Sequence, residues 1–380
     1  MTALDGQPPV RSAYRILIAG GGTGGHLFPA FAIAEALRNR AAGITIRFAG
    51  SAYGIEHHLV PERGYHLYRI PVRGLYAVPL RRKLWALAML PLAFLKCVGV
   101  LLSYRPHLII GVGGYASGPV LATGLLLRRR CVIQEQNAYP GLTNRLLGRY
   151  VHTAFTAVED RDGFFRRAVV TGNPVREAIS ALRNRPPAER SIPVVLVLGG
   201  SQGARAVNGA MIAALPALQA WGGPLRIVHQ TGAVHVEEVR AGYQGRRTQN
   251  SPLNAEVVPF IEQMAEAYHQ ARIVVSRAGA GAVAEIVAAR RASILIPIPG
   301  TSGDHQRRNA RRVEEAGAAL LLEQDALTGE SLARALISLL DDPARLEAME
   351  AATDTLYRGD AAGRIAEACL EMVRERLEGL

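Results

Sequence analysis

The chain has 380 residues, enough for two domains, and its 49% apolar content with 39 glycines is typical of an α/β protein. Its three cysteines, Cys97, Cys131 and Cys369, form neither a Cys-x-x-Cys pair nor a cysteine–histidine cluster, which argues against a disulfide framework and a zinc site. This cysteine usage favours a reducing cytoplasm, and the first 13 residues lack the apolar core expected of a secretory signal.

The formal charge of +12 is distributed unevenly. Residues 1–150 hold 18 Lys and Arg against 5 Asp and Glu, whereas the remainder holds 26 against 27. This asymmetry predicts an anionic partner for the N-terminal half, namely nucleic acid, anionic lipid or a phosphorylated substrate. The alternative is a proteome that simply prefers arginine.

Apolar runs typical of buried parallel strands alternate with helix-like segments along the whole chain. In the first half the runs are 15–20, 44–50, 66–72, 107–113, 131–137, 153–158 and 168–172. In the second half they are 193–200, 225–232, 255–260, 272–279, 293–300 and 318–323. We predict helices at 27–40, 203–220 and 361–379, and two doubly wound domains that meet near the polar segment 183–193.

Residues 84–104 form a strongly apolar segment that Pro91 and Lys96 interrupt. A membrane span needs about 20 apolar residues, so a partly buried helix with one end at a membrane surface is favoured over a core helix or a true span. Arginines and lysine beside large apolar side chains are typical of an interfacial segment. The residues predicted to meet the membrane are Leu75, Tyr76, Leu80, Arg81, Arg82, Lys83, Leu84 and Trp85.

Four glycine-rich turns follow predicted strands, at 19–26, 111–119, 198–204 and 276–285. A glycine turn that leads into a helix exposes backbone N–H groups and the positive end of the helix dipole, which together favour phosphate. A single turn of this kind also arises from packing alone. Two turns in each domain predict two phosphate-bearing ligands.

The first turn, residues 20–25, matches the dinucleotide fingerprint G-x-G-x-x-G. Such a site needs an Asp or Glu at the end of the second strand to bind the ribose hydroxyls. Gly50 and Ser51 stand there instead, and Glu56 comes too late in the sequence to occupy that position. The sequence therefore argues against a nicotinamide-dependent dehydrogenase.

The second array does supply an acid. Glu285 falls about two turns into the helix that follows the glycines of 276–281. The start of that helix can hold a diphosphate while the carboxylate binds ribose hydroxyls. The alternative is a solvated helix acid.

The ordered set of motifs resembles the MurG family, bacterial transferases that add N-acetylglucosamine (GlcNAc) to lipid I to give the peptidoglycan precursor lipid II. The motifs are GGTGGH, GGYASGP, QEQNAYPGLTNR, TGNPVR, GGSQGA, SRAGAGAVAE and DHQRRNA, and the match runs from about residue 14 to residue 323. The resemblance implies the GT-B fold, in which two Rossmann-like domains face each other across a cleft.

The resemblance further implies that residues 14–175 plus 361–380 bind the lipid-linked acceptor and the membrane, whereas residues 176–360 bind UDP-GlcNAc. It places the protein at the cytoplasmic face of the bacterial plasma membrane as a peripheral protein. It is compatible with contacts to other cell-wall synthesis proteins. It implies neither a cofactor nor a nucleic-acid partner.

Donor-binding residues follow from the resemblance, motif by motif. Arg176 and Ser201 are expected near the diphosphate, Ile261 beside uracil, Glu285 on the ribose and Gln306 on the GlcNAc hydroxyls. The family often has threonine near Gly281 or Ala282, and its absence here leaves only backbone N–H groups at that turn. The expected donor set is Thr23, Gly24, Gly25, Asn137, Arg176, Ser201, Ile261, Ala280, Gly281, Ala282, Val283, Ala284, Glu285 and Gln306.

The acceptor side and the chemistry follow in the same way. His26 is expected to accept the proton of the acceptor hydroxyl or to orient that hydroxyl, or else only to bind the acceptor phosphate. Glu135 is the second candidate base, or a buried acid paired with an arginine, and alternation predicts that it shares a strand face with Asn137. The expected acceptor set is Gly22, His26, Gly113, Gly114, Tyr115 and Ser117.

We expect inversion at the anomeric carbon without a required metal. The only Asp-x-Asp pair, Asp160 and Asp162, lies away from the donor motifs. Three other functions share parts of this pattern: another GT-B transferase for a lipid or glycan acceptor, an enzyme like UDP-GlcNAc 2-epimerase, and a non-catalytic membrane scaffold.

Overall fold

The computed structural model describes residues 14–72, 79, 81, 88–185, 188, 191–200, 203–246 and 251–379. The chain forms two compact units. Unit 1 runs to Gln136 and continues over Pro140–Pro174 and from Asp360 onward, whereas unit 2 comprises Asn137–Tyr139 and Val175–Gly359. The sequence-based boundaries at 175/176 and 360/361 lie one residue from these divisions, but Asn137–Tyr139 belongs to the other unit.

Unit 1 contains a parallel seven-stranded sheet in the order β3-β2-β1-β4-β5-β6-β7. Its strands are β1 Tyr14–Ala19, β2 Ile44–Ser51, β3 His66–Ile70, β4 Leu108–Gly111, β5 Arg130–Glu135, β6 Thr153–Thr156 and β7 Ala168–Val170. Its described helices are α1 Gly24–Arg40, α2 Glu56–Glu62, α3 Leu90–Tyr104, α4 Ser117–Leu126 and α5 Leu142–Leu147.

The continuous apolar runs of this sheet are explained by cores on both of its faces. In β1, Ile16 and Ile18 pack into the core that contains α1, whereas Leu17 and Ala19 pack into the core formed with α3 and α4. Successive side chains of a strand point to opposite faces, so both sets must be apolar. All seven predicted strands of this unit are present.

The C-terminal helix Ala361–Glu378 lies in unit 1. Its apolar face, which includes Ile365, Cys369 and Val373, is buried in the same core as α1. Arg40 of α1 pairs with Asp360, at a distance of 3.0 Å, and with Glu367. The helix therefore covers the α1 side of the first sheet.

The apolar segment 84–104 is a helix over Leu90–Tyr104, with Cys97 and Leu101 buried. Within the described residues, no helix is both long and apolar enough to cross a bilayer. Of the eight residues predicted to meet a membrane, only Arg81 lies in the described part of the chain, and it is exposed.

Unit 2 contains a parallel six-stranded sheet in the order β10-β9-β8-β11-β12-β13. Its strands are β8 Val194–Leu198, β9 Leu225–Gln230, β10 Leu253–Val258, β11 Ile273–Ser276, β12 Ala292–Leu295 and β13 Ala319–Leu321. Its helices are α6 Glu177–Ser180, α7 Arg205–Trp221, α8 Val236–Gln244, α9 Met264–Gln270, α10 Ala280–Ala288, α11 His305–Glu315, α12 Gly329–Leu340 and α13 Pro343–Ala352, and the C-terminal helix of unit 1 is α14.

Each sheet reverses its strand order once, between β1 and β4 in unit 1 and between β8 and β11 in unit 2. Ligands of open α/β sheets bind outside the carboxyl ends of the strands at such switch points. The four glycine-rich turns follow these four strands. The topology therefore places the two turns of each unit side by side.

Candidate functional site

The two glycine turns of unit 1 pack backbone against backbone. A Cβ atom at Gly20 would lie 2.4 Å from the carbonyl oxygen of Gly113, and one at Gly114 would lie 2.3 Å from that of Gly21. Gly114 also has a φ of +81°, which disfavours any other residue. Glycine is required here for close approach, and the resulting surface consists of main-chain groups at the sheet edge.

A buried carboxylate, Glu56, lies beneath the first turn. Its Oε2 accepts from the N–H of Gly22 at 2.7 Å and its Oε1 from the N–H of Ser51 at 2.8 Å. Cβ atoms at Gly21 or Gly54 would overlap this carboxyl group. The expectation that Glu56 comes too late to reach the end of β2 is wrong, because α2 returns it there. Backbone N–H groups occupy both oxygens and the side chain is 1% exposed, so it offers no ribose ligand.

His26 lies in the first turn of α1, which starts at Gly24 after the N-cap Thr23. The half-buried imidazole packs over Gly113, where a Cβ would approach Nδ1 and Cε1 to 2.9 Å. Nδ1 lies 3.1 Å from Oε1 of Gln136. The ring is therefore held between the two glycine turns and the end of β5.

The other acceptor-side residues differ in accessibility. Thr23 is exposed and Tyr115 is 44% exposed, so both side chains are open to a ligand. Ser117 is fully buried, and its Oγ has no hydrogen-bond partner among the described residues. The carboxyl edge of unit 1 brings together Gly22, Thr23, Gly24, Gly25, His26, Gly113, Gly114 and Tyr115.

Glu135 ends β5 and is buried. Its Oε2 accepts from the N–H of Gly141 at 3.1 Å and from Nδ2 of Asn144 at 2.8 Å. These two contacts, from a backbone N–H and a side-chain amide, hold Oε2 at the start of the loop after β5. Asn137 lies beyond the strand, so strand alternation does not place it on a face with Glu135, and it groups with unit 2.

In unit 2, a buried glutamine connects two loops at the sheet edge. Nε2 of Gln230, the last residue of β9, donates to the carbonyl oxygen of Gly200, and its Oε1 accepts from the N–H of Ile261, both at 3.1 Å. The backbone N–H of Ile261 is therefore already hydrogen-bonded. Its carbonyl oxygen is the main-chain group of this residue that can accept a hydrogen bond from a nucleobase. Ser201 lies outside the described residues.

Arg176 and Glu285 form an ion pair within unit 2. Nη2 of Arg176 lies 2.8 Å from Oε1 of Glu285, and the hydroxyl of Tyr268 donates to Oε2 at 3.3 Å. The Glu285 side chain is 17% exposed. Burial raises the pKa of Glu285 above its usual value, although Arg176 and the Tyr268 hydroxyl oppose the shift. Burial, together with the Glu285 charge, raises the pKa of Tyr268 well above its usual value.

The helix α10 starts directly after the glycine turn that follows β11. Its N-cap is Gly279, whose carbonyl accepts from Val283 at 3.0 Å, so the amides of Gly281 and Ala282 precede that bond. Residues 280–285 are half-buried. Oε1 of Gln306 accepts from the N–H of Ile298 at 3.0 Å, which leaves its NH₂ group to donate. This edge can bind a diphosphate by N–H groups and a sugar by an amide.

A polar cluster lies below the first glycine turn of unit 2. His229, fully buried in β9, contacts the Tyr243 hydroxyl through Nδ1 and Oδ1 of Asn208 through Nε2, both at 3.1 Å. Asn208 also donates to the Thr231 carbonyl at 3.2 Å. Burial lowers the pKa of His229 to about 3. The imidazole is thus neutral at physiological pH.

Sequence reasoning rejected Glu56 and missed three further buried polar residues, Gln136, Gln230 and Tyr268. Gln136 stands inside the motif QEQN, so its place between two expected site residues was a usable signal. The other three become meaningful only when the fold brings them beneath a ligand-binding turn or beside Glu285.

Two family models match the chain. The glycosyltransferase family 28 N-terminal domain matches residues 16–156, and the glycosyltransferase family 28 C-terminal domain matches residues 194–365. Together the two models cover most of the chain.

Individual relatives agree with this. The chain is 44% identical over 358 residues to the UDP-N-acetylglucosamine–N-acetylmuramyl-(pentapeptide) pyrophosphoryl-undecaprenol N-acetylglucosamine transferase of Syntrophotalea carbinolica, covering 93% of this chain and 98% of the relative. The crystal structure of Acinetobacter baumannii MurG is similar, with a TM-score of 0.76, 29% identity, and coverage of 94% of this chain and 99% of that one. A UDP-N-acetylglucosamine 2-epimerase, 13% identical with a TM-score of 0.62 over 93% and 95% of the two chains, shares the fold alone.

The two parallel sheets with single switch points, the paired glycine turns and these relatives have one explanation. The chain has the GT-B fold and is a glycosyltransferase. It belongs to glycosyltransferase family 28, in the group of the UDP-N-acetylglucosamine–N-acetylmuramyl-(pentapeptide) pyrophosphoryl-undecaprenol N-acetylglucosamine transferases.

Proposed function

We propose that the protein transfers GlcNAc from UDP-GlcNAc to the C4 hydroxyl of MurNAc in lipid I, the undecaprenyl-diphosphate-linked MurNAc-pentapeptide, and so forms lipid II with inversion at the anomeric carbon. The observation that carries the proposal is the pair of glycine turns in unit 1, with the His26 ring packed over Gly113 at their junction. These turns form an anion-binding surface beside a titratable group, as a diphosphate-linked acceptor requires.

His26 is the proposed general base. The acceptor hydroxyl gives its proton to the imidazole as the hydroxyl oxygen bonds to the anomeric carbon, while the bond from that carbon to UDP breaks. A base at this point contributes about 10²–10⁴-fold to the rate. Glu135 has a different role in this proposal, because Oε2 already accepts two hydrogen bonds that fix the loop after β5.

The donor binds to unit 2 in this proposal. The start of α10 and Arg176 stabilise the negative charge that develops on the departing diphosphate, and a diphosphate contact by Ser201 remains an expectation from its motif. Glu285 binds the ribose hydroxyls, Ile261 contacts uracil, and Asn137 and Gln306 bind the sugar. Arg176 must share its guanidinium between Glu285 and phosphate, because its Nη2 lies 2.8 Å from Oε1 of Glu285.

No metal is required at the donor in this proposal. The described residues contain no cluster of three or more His, Cys, Asp or Glu side chains able to hold a metal ion. Arginine and helix-dipole charge can replace a cation on the diphosphate. Transfer unchanged by EDTA supports this point, and loss that Mg²⁺ restores contradicts it.

Peripheral attachment of unit 1 to the anionic cytoplasmic face of the membrane is also proposed. The basic excess of residues 1–150 supports it. So do exposed leucines on three helices that pack side by side, α3, α4 and α5. These leucines are Leu92, Leu95, Leu102, Leu126, Leu142 and Leu146.

Flotation with phosphatidylglycerol vesicles tests the attachment. The double variant Leu92→Ser/Leu95→Ser is expected to bind several-fold more weakly than the wild type, because it loses apolar surface that enters the acyl boundary. The control is Leu377→Ser, which removes an exposed leucine from α14. Equal loss in both variants, or no salt dependence, contradicts a specific anionic membrane surface.

The transfer itself is tested with labelled UDP-GlcNAc and a short-chain lipid I analogue. Label in the lipid product, a much weaker signal with UDP-GalNAc, and loss in a folded His26→Ala variant are expected. Label released as a free UDP-sugar epimer would favour the 2-epimerase alternative. Transfer only to other lipid or glycan acceptors would favour a different GT-B transferase.

A further inference from the structure

The contact between His26 and Gln136 decides which ring nitrogen can act as a base. Neutral imidazole carries one proton, and the nitrogen without it is the acceptor. The Nδ1 of His26 lies 3.1 Å from Oε1 of Gln136. If Gln136 presents its oxygen to the ring, Nδ1 must carry the proton.

The orientation of the Gln136 amide follows from its other neighbours. Its Nε2 lies 2.7 Å from the carbonyl oxygen of Val112 and 2.5 Å from Oε1 of Gln134. A backbone carbonyl only accepts, so the NH₂ group must face Val112, and a flipped amide would place two oxygens in contact. Gln136 is 4% exposed and Gln134 is fully buried, so water does not offer an alternative partner.

The other side-chain amides of this hydrogen-bonded network agree with this orientation of Gln136. Nε2 of Gln134 donates to Oδ1 of Asn173 at 3.3 Å, which leaves Oε1 of Gln134 as the acceptor for Gln136. Both hydrogens of the Gln136 amide are therefore used. Its Oε1 is left as an acceptor, and Nδ1 of His26 lies 3.1 Å from it.

We propose that Gln136 is a positioning residue that holds neutral His26 in the Nδ1–H tautomer, so that Nε2 is the atom that takes the proton. Nε2 has no hydrogen-bond partner among the described residues, in keeping with a site left for the acceptor hydroxyl. This inference rests on the proposed function, in which His26 is the base.

The proton balance is complete. The C4 hydroxyl proton moves to Nε2 as its oxygen forms the bond to the anomeric carbon, and the electron pair of the broken bond leaves with UDP. His26 becomes an imidazolium that still donates through Nδ1 to Gln136. Release of the Nε2 proton to water restores the starting tautomer, and no co-reactant is needed.

The direct test is the ¹⁵N spectrum of ring-labelled histidine in the full-length protein at a pH where His26 is neutral. The signals of His26 are those missing from His26→Gln. Protonated and unprotonated ring nitrogens have distinct shifts, and we expect a protonated Nδ1 with a bare Nε2. A protonated Nε2 in the wild type overturns the proposal without reference to activity.

Two variants supply the kinetic test. Gln136→Met removes the acceptor at Nδ1, so kcat is expected to fall about 10- to 100-fold, within the contribution of a general base, while both KM values change less than about threefold. Gln134→Met disturbs the same buried network but leaves the Val112 carbonyl to orient the Gln136 amide. His26 is therefore expected to keep the Nδ1–H tautomer, and kcat should fall less than about threefold. Equal losses of kcat in both variants, with an unchanged tautomer, refute the positioning role.

Failure of the proposed base is separable from failure of this inference. If a folded His26→Gln variant transfers GlcNAc at the wild-type rate, His26 is not the general base, and its tautomer has no role in catalysis. If His26→Gln is inactive but Nε2 of the wild-type ring is protonated, His26 remains the proposed base and the positioning role of Gln136 is refuted.

Discussion

Replacing Glu56 by glutamine is expected to destabilise unit 1 strongly, although the two side chains have nearly the same shape. The carboxylate accepts from Gly22 at 2.7 Å and from Ser51 at 2.8 Å, and it is 1% exposed. A carboxamide can accept only one of these bonds. Its NH₂ group then faces the second backbone N–H, so two donors meet where no water can intervene.

The size of the effect follows from these contacts. A hydrogen bond to a charged group contributes about 1.5–3 kcal/mol, and a buried N–H without an acceptor costs about 1–3 kcal/mol. We therefore expect Glu56→Gln to lower the free energy of unfolding by about 3 kcal/mol. In a unit of roughly 150–250 residues this corresponds to about 6–12 °C in Tm.

Calorimetry of the full chain measures this shift, and Glu62→Gln is the matched control. Glu62 lies on the same helix, α2, but is exposed, so its replacement should change stability by less than about 0.5 kcal/mol. The KM for the acceptor should rise in Glu56→Gln only, because the glycine turn moves. A Glu56→Gln Tm within about 2 °C of the wild type refutes the reasoning.

Three further predictions concern other residues. Tyr268→Phe removes the hydroxyl that donates to Glu285 at 3.3 Å. Loss of this hydrogen bond weakens donor binding by about 1 kcal/mol, so steady-state kinetics should show a KM for UDP-GlcNAc about fivefold higher and an unchanged KM for the acceptor. The pKa of His229 is about 3 when folded and about 6.5 when unfolded. The unfolded chain therefore binds more protons between these values, and stability falls as pH decreases below about 6.5. Between pH 7 and pH 5 the free energy of unfolding measured with urea should fall by about 2 kcal/mol from this group, and His229→Leu should lack that decrease. The same pH dependence of stability in both proteins would contradict this assignment. Gly114→Ala places a methyl group 2.3 Å from the Gly21 carbonyl at a φ of +81°, so transfer should fall at least tenfold while calorimetric binding of UDP to unit 2 persists; wild-type transfer would argue against the close packing of the turns.

The sequence was sufficient for the architecture because parallel strands buried on both faces are continuous apolar runs. All 13 predicted strands are present, in two sheets, and the helices at 27–40, 203–220 and 361–379 occur as Gly24–Arg40, Arg205–Trp221 and Ala361–Glu378. The glycine turns were visible for a similar reason, since close backbone approach at a strand end leaves few other residues possible.

Long-range contacts were not visible in the sequence. Glu56 returns to the first glycine turn only because α2 packs beside β2, and position along the chain wrongly suggested that it could not. Likewise, the amphipathic pattern of Ala361–Glu378 does not choose between two cores, and packing beside α1 decides the choice.

The chemical state of the site is the clearest case. The motif GGTGGH identifies His26, but its proton position depends on a glutamine 110 residues later and on a backbone carbonyl from the turn after β4. Residue spacing encodes local periodicity and turn geometry. Hydrogen-bond direction depends on atoms that meet only after the chain has folded, and for that reason only the tertiary structure determines it.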